Sequence, residues 1–509
     1  ATTTMADVSG PDGDDDATAD AAVCADVDVA IVGGGAAGLS AALEARRLGN
    51  SVVLLEASDR LGGRIEDLRV PYNEDGCGAS FVTVAAGAEF VHGAVANPLV
   101  EALEAAGVAL EERAWPNYYY LGHEARLVKA DAYEHRQGLE EANDDDDDDA
   151  ALARDLATLA EAFGALSDDK GAVSSDETLL QYFVRRGVAS RVIGVAEASY
   201  ANDYGAMLSE LGAREVAAEQ AAWAHGEEYL VPLRATLSRG VDELARRLSR
   251  RSSTDGETIR TRARVVDVSQ PGEVRLADGR VVRAKATVVA VAAGALHAVR
   301  GLEAKAALVE DSTGSLLPFV ANALKVWAVL RRSDLALPAD LWDVVCADCV
   351  FPEIWLASSP DADDGLAVVV GFVTGARADR LARRPERDVR RLFLAQLDAA
   401  FGTPGVPHPA STACLGFALR DWKSDAFARG AYTYPSPGAL ETRRRLAEPL
   451  CVADDDSGGT AAPRVFIAGE AVNDALNPCV QGAMASGTHA ARAAHRALQH
   501  SSHETMAAR

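Results

Sequence analysis

The sequence predicts an α/β fold in two domains, the first opening on a strand–turn–helix–strand unit. Three observations carry this. The chain has 509 residues, more than one core holds, because single cores stop growing near roughly 250–300 residues. Its residues are 48 % apolar and 25 % charged, as in globular proteins. From Val27 a β-branched run, a glycine-rich turn and an apolar-faced helix follow one another.

Each element rests on a local pattern. Val27-Asp28-Val29-Ala30-Ile31-Val32 reads as a buried strand. Ala36 to Leu48 reads as a helix, with Leu39, Ala42 and Leu43 on one face and Gly49 as its stop. Ser51 to Glu56 is a second strand. Helices are expected at 97–112 and 150–166, with the Asp144–Asp149 run as an exposed loop between helical stretches. Strands are expected at Thr258–Val268, Glu273–Leu276 and Val281–Val291, with an Asp278-Gly279 turn. Residues 322–331 and 366–373 also read as strands, and 386–401 as a helix. Val465 to Ala468 is one more buried strand, and 482–498 a last helix. Residues 1–25 are expected as an acidic disordered tail, and 499–509 are expected to fray.

Lys plus Arg number 50 and Asp plus Glu 76, a net charge of −26. That balance excludes nucleic acid as a partner and would attract a cation. Much of the excess lies in three runs, Asp7 to Asp20, Glu140 to Asp149 and Asp454 to Asp456. These read as solvated tail and loops, so steering carries little weight. The Asp-rich start lacks a basic region and is not read as a secretory signal. No apolar run approaches the ~18 residues of a membrane span. Seven cysteines, odd in number and widely spread, fit a reduced, intracellular setting for a soluble chain, with the compartment left open. Cys346-Ala347-Asp348-Cys349 has no second pair to complete a zinc site and reads as two core or loop cysteines. No metal is expected.

Gly33-x-Gly35-x-x-Gly38 sits between the first strand and the first helix. The first glycine allows a tight turn, the second lets backbone approach a pyrophosphate, and the third lets helix and strand pack closely. The helix N-terminus offers N–H groups and a partial positive charge to phosphates. Glu56 ends the second strand 18 residues after Gly38, where an acid accepts ribose hydroxyls. Strand, glycines, helix, strand and acid in this order read as a Rossmann-type dinucleotide cradle.

Further blocks follow in order. Glu56-Ala57-Ser58-Asp59-Arg60-Leu61-Gly62-Gly63-Arg64 resembles the second signature of the FAD-containing amine oxidases. Gly87-Ala88-Glu89-Phe90-Val91-His92-Gly93 resembles the GAxWxHG segment of polyamine oxidases. Arg420 to Thr433 is similar to the family's W-x-x-D-x-x-x-x-G-x-Y segment. Val465 to Glu470, followed by Gln481 to Gly487, resembles the C-terminal flavin signature. On these blocks the chain is identified as a member of the flavin amine oxidase superfamily, whose branches include polyamine oxidases, monoamine oxidases and lysine-specific demethylases.

The resemblance implies a GxGxxG FAD-binding domain and a discontinuous α+β substrate domain with a mixed sheet. It assigns 26–88, 228–300 and 415–498 to the first and 89–227 and 301–414 to the second. It implies FAD held by Gly33, Gly35, Ala37, Gly38, Glu56, Ala57, Gly63 and Arg64, with Val265 meeting adenine through its backbone. Gly469 and Glu470 would serve the ribityl chain. Val480 to Ala483 would lie along the pyrimidine edge, where the last helix starts and its dipole stabilises negative charge on the ring. Ala431 stands where monoamine oxidases carry their flavin-linking cysteine, so FAD should be non-covalent. The implied reaction is hydride transfer from a neutral primary or secondary amine, polyamine-like favoured, to flavin N5. Oxygen then reoxidises the flavin and leaves as hydrogen peroxide. The expected partners are a small amine and O2, for a monomer or homodimer.

Lys325 lies in the apolar run Ala323 to Leu330, where an unpaired ammonium is costly. The family's lysine here holds a water against flavin N5; the alternative is a strand-edge lysine reaching solvent. Tyr432 and Trp422 would be aromatic walls, or else core packing. His92 would accept a proton or orient the amine, and Glu89 would anchor a distal ammonium, unless both are structural. Cys479 replaces a second aromatic common in the family, which puts a two-walled cage in doubt and widens the pocket. Two rivals stand beside the oxidase. An L-amino-acid oxidase would want an arginine in the 87–93 segment, which has none. A flavin-binding interaction protein without turnover would use the acidic runs for partners. A demethylase would add a SWIRM domain and a helical tower, for which the chain has no room.

Overall fold

The computed structural model describes residues 23–507, apart from 74–79, 131–147, 170, 172, 224, 227, 251–257, 314, 318, 363–364, 452–462 and 474–478. The acidic tail, Cys77, Asp454 to Asp456 and most of the 144–149 run lie outside the described residues.

The first sheet runs in the order Ile259–Arg260, Val52–Leu55, Val23–Val32, Val281–Val289, Glu273–Leu276, Val265–Asp267. Pro463–Ile467 also pairs with Val281–Val289 and carries Leu450–Cys451. Four of these strands are parallel and in step, with Leu55 beside Val32, Val32 beside Val289 and Val289 beside Ile467. Their C-terminal ends therefore form one rim, the place where open α/β sheets bind ligands. Both faces are covered, which is why the strands read as continuous apolar runs. Val29 and Ile31 pack toward helices Ala36–Arg47 and Val480–Ala507, while Ala30 and Val32 pack on the opposite side with Leu296, Ala439 and Leu446.

The second sheet has nine strands in the order Ser80–Ala85, Asp67–Tyr72, Cys414–Asp421, Ala323–Arg331, Leu366–Thr374, Glu353–Leu356, Asp343–Ala347, Tyr118–Leu121, Arg126–Lys129. It is antiparallel except where Asp343–Ala347 meets Tyr118–Leu121, so it is mixed, as expected. Leu324, Val326, Ala328 and Leu330 face helix Glu386–Phe401. Lys325 has the opposite parity and shares its face with Trp327 and Val329. A small sheet joins Val91–His92, Tyr229–Pro232 and Leu110–Glu112. Helices between 148 and 221 build a further core.

The α/β class, the first βαβ unit and the helix at 386–401 stand where the sequence put them. Other expectations are corrected. The helix of 97–112 spans only Pro98–Ala105, because the chain turns at Gly107 and continues as the edge strand Leu110–Glu112. Thr258–Val268 breaks into Ile259–Arg260 and Val265–Asp267 at Arg262, whose φ is +53°. Asp148 and Asp149 begin helix Asp148–Gly164 instead of closing a loop. The last helix runs on to Ala507, because no glycine or proline follows Gly487 to stop it. Strands Asp67–Tyr72, Ser80–Ala85 and Cys414–Asp421 pair into the nine-stranded sheet. Among the described residues, no helix is long and apolar enough to cross a membrane.

Candidate functional site

The rim of the parallel sheet gathers the first cluster. A Cβ on Gly38 would stand 1.8 Å from the Gly33 carbonyl oxygen, so strand and helix touch where the motif's third glycine sits. On Gly35 the nearest atom would be the Gly62 carbonyl oxygen at 3.8 Å. The protein's own packing does not need that glycine, and the room beside it is open to a ligand. Gly35 gives no side-chain cap to helix Ala36–Arg47, which leaves its first N–H groups for an anion. Glu56 accepts the Gly34 N–H through Oε2 and the Ser58 N–H through Oε1, both at 2.7 Å. Each oxygen keeps a lone pair for a ribose hydroxyl. The Ala263 N–H bonds the Glu56 carbonyl at 2.8 Å, and buried Val265 follows two residues after Ala263. Open glycine, uncapped helix and terminal acid together fit a dinucleotide.

Arg64 joins this cluster to the C-terminal signature. Its Nη1 lies 2.9 Å from Glu470 Oε1 and also donates to the Ala431 carbonyl. Glu470 Oε2 accepts the Thr433 hydroxyl at 2.6 Å. The Ser486 hydroxyl accepts the Gly469 N–H at 2.9 Å, and the last helix starts at Val480, as expected, with the Ala483 N–H on the Cys479 carbonyl. Gln481 Nε2 donates to the His92 carbonyl at 3.1 Å, so the 87–93 segment is tied to that helix start.

Lys325 lies within this frame. Its Nζ donates to Glu89 Oε2 at 2.9 Å and to the Gly87 carbonyl at 2.8 Å, with the Trp355 ring centre 5.0 Å away. Lys325 is 5 % exposed and Glu89 7 %. The solvent-reaching alternative is thereby excluded, and the pairing offsets the cost of burying the charge. Two of the three ammonium donors are used, leaving one. Glu89 Oε2 is bonded to Lys325. Gly87 adjoins both other blocks: a Cβ there would lie 1.9 Å from the Arg64 carbonyl oxygen and 2.9 Å from Trp422 Cζ2. Trp422 is buried, donates to the Ala86 carbonyl at 3.0 Å and carries the Arg420 guanidinium 4.5 Å over its ring. It backs the Gly87 turn rather than standing as an open wall.

Tyr432 is only half-buried. Its hydroxyl donates to the Asp203 carbonyl at 2.8 Å, which brings in a segment the sequence did not mark. Helix Ser190–Ala196 passes through a π turn, Glu197–Ala201, into Asn202–Tyr204. Asp203, at its end, is accessible, yet burial pushes its carboxyl up to about 7. Burial likewise disfavours the charged forms of His92, Tyr204, Tyr229, Tyr432 and Cys479. Burial holds His92 down to about 4, so it is neutral at pH 7 and a weak base there. Its ring stands edge-on to Tyr229, centroids 5.0 Å apart. Burial likewise raises the Cys479 thiol, which is uncharged there. Asp203 and Tyr204 escaped sequence reading because Asn202-Asp203-Tyr204-Gly205 looks like an ordinary helix end. The CxxC pair meets its expectation as core and loop residues: Cys346 is buried and Cys349 half-buried, beside a separate cleft of about 600 Å³.

The sequence profile of the flavin containing amine oxidoreductases matches residues 36–495. The chain is 24 % identical over 501 residues to mouse lysine-specific histone demethylase 1B, covering 91 % of this chain and 52 % of that one. A shorter match to human lysine-specific histone demethylase 2 reaches 38 % over 86 residues, 16 % of this chain and 9 % of that one. The chain thus spans about half the length, or less, of the curated relatives it matches. Among solved structures, a putrescine oxidase bound to putrescine is similar at a TM-score of 0.65 and 17 % identity, over 92 % of this chain and 98 % of the other. Cyclohexylamine oxidase from Brevibacterium oxydans is similar at 0.62 and 20 %, over 93 % and 100 %. At these identities the solved structures establish the shared fold.

Proposed function

The chain belongs to the flavin containing amine oxidoreductase family, and on that premise we propose that it is an FAD-dependent amine oxidase acting on a primary or secondary amine. Bound FAD supplies the two-electron oxidation of the C–N bond, with oxygen as final acceptor and hydrogen peroxide as product. The chain's residues bind, orient and keep water out. Gly35, the start of helix Ala36–Arg47, Glu56 and Val265 would hold the dinucleotide end. Arg64 with Glu470, and the helix beginning at Val480, would hold the flavin end. Ala431 offers no thiol for a covalent link, which supports non-covalent FAD. Lys325, locked by Glu89 and Gly87, has one donor left for a water. Tyr432 gives the substrate an aromatic wall, and neutral His92 is fit to orient the amine through a hydrogen bond.

The observation that carries this reading is the Lys325–Glu89 pair, 2.9 Å apart and buried, bonded to the same Gly87 turn that packs on Arg64 of the cradle. A plain interaction protein has no use for a desolvated ion pair beside a flavin cradle. The 87–93 segment lacks the arginine that would clamp an amino-acid carboxylate. The test is peroxide release from the purified flavoprotein with aliphatic diamines, polyamines, aromatic monoamines and L-amino acids. Release with amines, and none with amino acids, is expected. Release with amino acids alone would turn the reading toward the amino-acid oxidase.

A further inference from the structure

We propose that Cys346 and Cys349 form a peroxide-reactive dithiol, a pair that hydrogen peroxide oxidises to a disulfide. The proposed amine oxidation would release that oxidant, but the pair's chemistry does not depend on it. Cys346 lies in strand Asp343–Ala347, and Cys349 in the turn that leaves it. Asp348, between them, has a φ of +58°. That left-handed bend is uncommon for a residue other than glycine, and it turns the chain back on itself. Two glycines on other elements make room for the turn. A Cβ on Gly122 would stand 2.9 Å from the Cys349 sulfur, and a Cβ on Gly194 would stand 2.7 Å from Asp348 Oδ1. The Cys346 N–H is held by the Pro352 carbonyl at 2.6 Å. Across the turn so held, the two thiols hydrogen-bond to each other.

Burial gives the two sulfurs different parts. Cys346 is fully buried, whereas Cys349 is half-buried. Both line the cleft of about 600 Å³, whose wall includes helix Ser190–Ala196 and Glu197 of the π turn. A molecule as small as peroxide has room there to reach Cys349. The hydrogen bond from Cys346 holds the Cys349 thiol below its ordinary value, while burial pushes Cys346 up. Cys349 is therefore the attacking sulfur and Cys346 the resolving one. In the first step the Cys349 thiolate attacks one peroxide oxygen. An S–O bond forms, the O–O bond breaks, and the departing hydroxide takes a proton to become water. In the second step the Cys346 sulfur gives up its proton and attacks the Cys349 sulfenic acid. The S–S bond forms, and the S–OH oxygen leaves as a second water. In sum, two thiols and one hydrogen peroxide give one disulfide and two waters.

The test uses the holoprotein with its thiols reduced and the reductant removed. Equimolar hydrogen peroxide is added without any amine, and samples are alkylated, digested and weighed over time. The peptide carrying both cysteines should lose the mass of two hydrogens and take up no alkyl group. Half-buried Cys414 and exposed Cys451 serve as references for exposure alone. The disulfide should form about tenfold faster than either is oxidised, and a dithiol reductant should reverse it. Cys349→Ser should abolish the reaction at Cys346. Cys346→Ser should leave a sulfenic acid on Cys349, trapped by a dimedone probe. A wild type whose pair stays alkylatable, or forms its disulfide no faster than Cys451 is oxidised, overturns the proposal, and so does Cys349 reaching the sulfinic acid with Cys346 still a thiol. Because peroxide is supplied, a chain that oxidises no amine can still pass this test, and a working amine oxidase can still fail it.

Discussion

Lys325 and Glu89 set the residue-scale behaviour of the site. Each is a buried charge whose cost is met by the other, so removing one strands its partner. Lys325→Met should destabilise the protein by about 3 kcal/mol in denaturant unfolding. It should also slow reoxidation of the reduced flavin by oxygen, read by stopped flow. Glu89→Gln keeps an acceptor for Nζ and should cost less. An unchanged reoxidation rate in Lys325→Met would remove the lysine from the oxygen step. His92 makes a separate prediction. Its folded-state pKa is about 4, against about 6.5 for an unfolded histidine. The histidine's contribution to stability is therefore complete above pH 6.5 and lost as pH falls through 4. Unfolding midpoints should drop on acidification over that window, and His92→Gln should drop less. Lys325 was legible in the sequence because a charge in an apolar strand has few explanations. Its partner was not, since Glu89 and Lys325 lie 236 residues apart and only the sheet pairing brings them together.

At the scale of the element, the turn Gly33 to Gly38 divides its glycines by purpose. Gly38 is required by the protein's own packing, whereas Gly35 is not. Gly38→Ala drives a Cβ into the Gly33 carbonyl and should cost the flavin-free chain about 3 kcal/mol. Gly35→Ala should cost that chain less than about 1 kcal/mol, the scale of a cap change, yet weaken FAD binding by about tenfold or more. Thermal unfolding of the flavin-free chain, with a flavin titration, separates the two. Equal loss of stability in both variants would contradict the division. The elements of this unit were readable because their signals are local: β-branched runs, a glycine turn, a stop at Gly49. The nine-stranded sheet was only partly readable. Ala323–Arg331 and Leu366–Thr374 are buried on both faces and announce themselves as apolar runs. Asp67–Tyr72 and Cys414–Asp421 carry Asp, Arg and Pro, and their strand character comes from the neighbours they pair with. The π turn at Glu197–Ala201 likewise depends on packing, not on any residue preference.

For the whole molecule, the site is assembled from segments far apart in the chain, and the two sheets bring them together. The parallel sheet aligns the ends of four strands and delivers Gly33, Glu56 and Gly469 to one rim. The mixed sheet delivers Lys325, and beyond its Cys414–Asp421 strand Trp422 and Tyr432, to the same place. The Gly87 turn touches both sets. We propose that the working division of the chain follows these sheets, so that Asp67–Tyr72, Ser80–Ala85 and Cys414–Asp421 belong with the substrate side. Family membership was legible because its blocks are local motifs in a fixed order. The Lys325–Glu89 pairing was not, because it exists only in the assembled fold. The central claim is that this assembly oxidises amines with its flavin. The most direct measurement is the flavin absorbance of the purified holoprotein, mixed without oxygen with 1,4-diaminobutane or a longer polyamine. Bleaching that saturates with amine concentration and reverses on admitting oxygen, with peroxide formed in step, is the predicted result. A flavin that stays oxidised with every primary and secondary amine tried, in a protein that binds FAD normally, would contradict it.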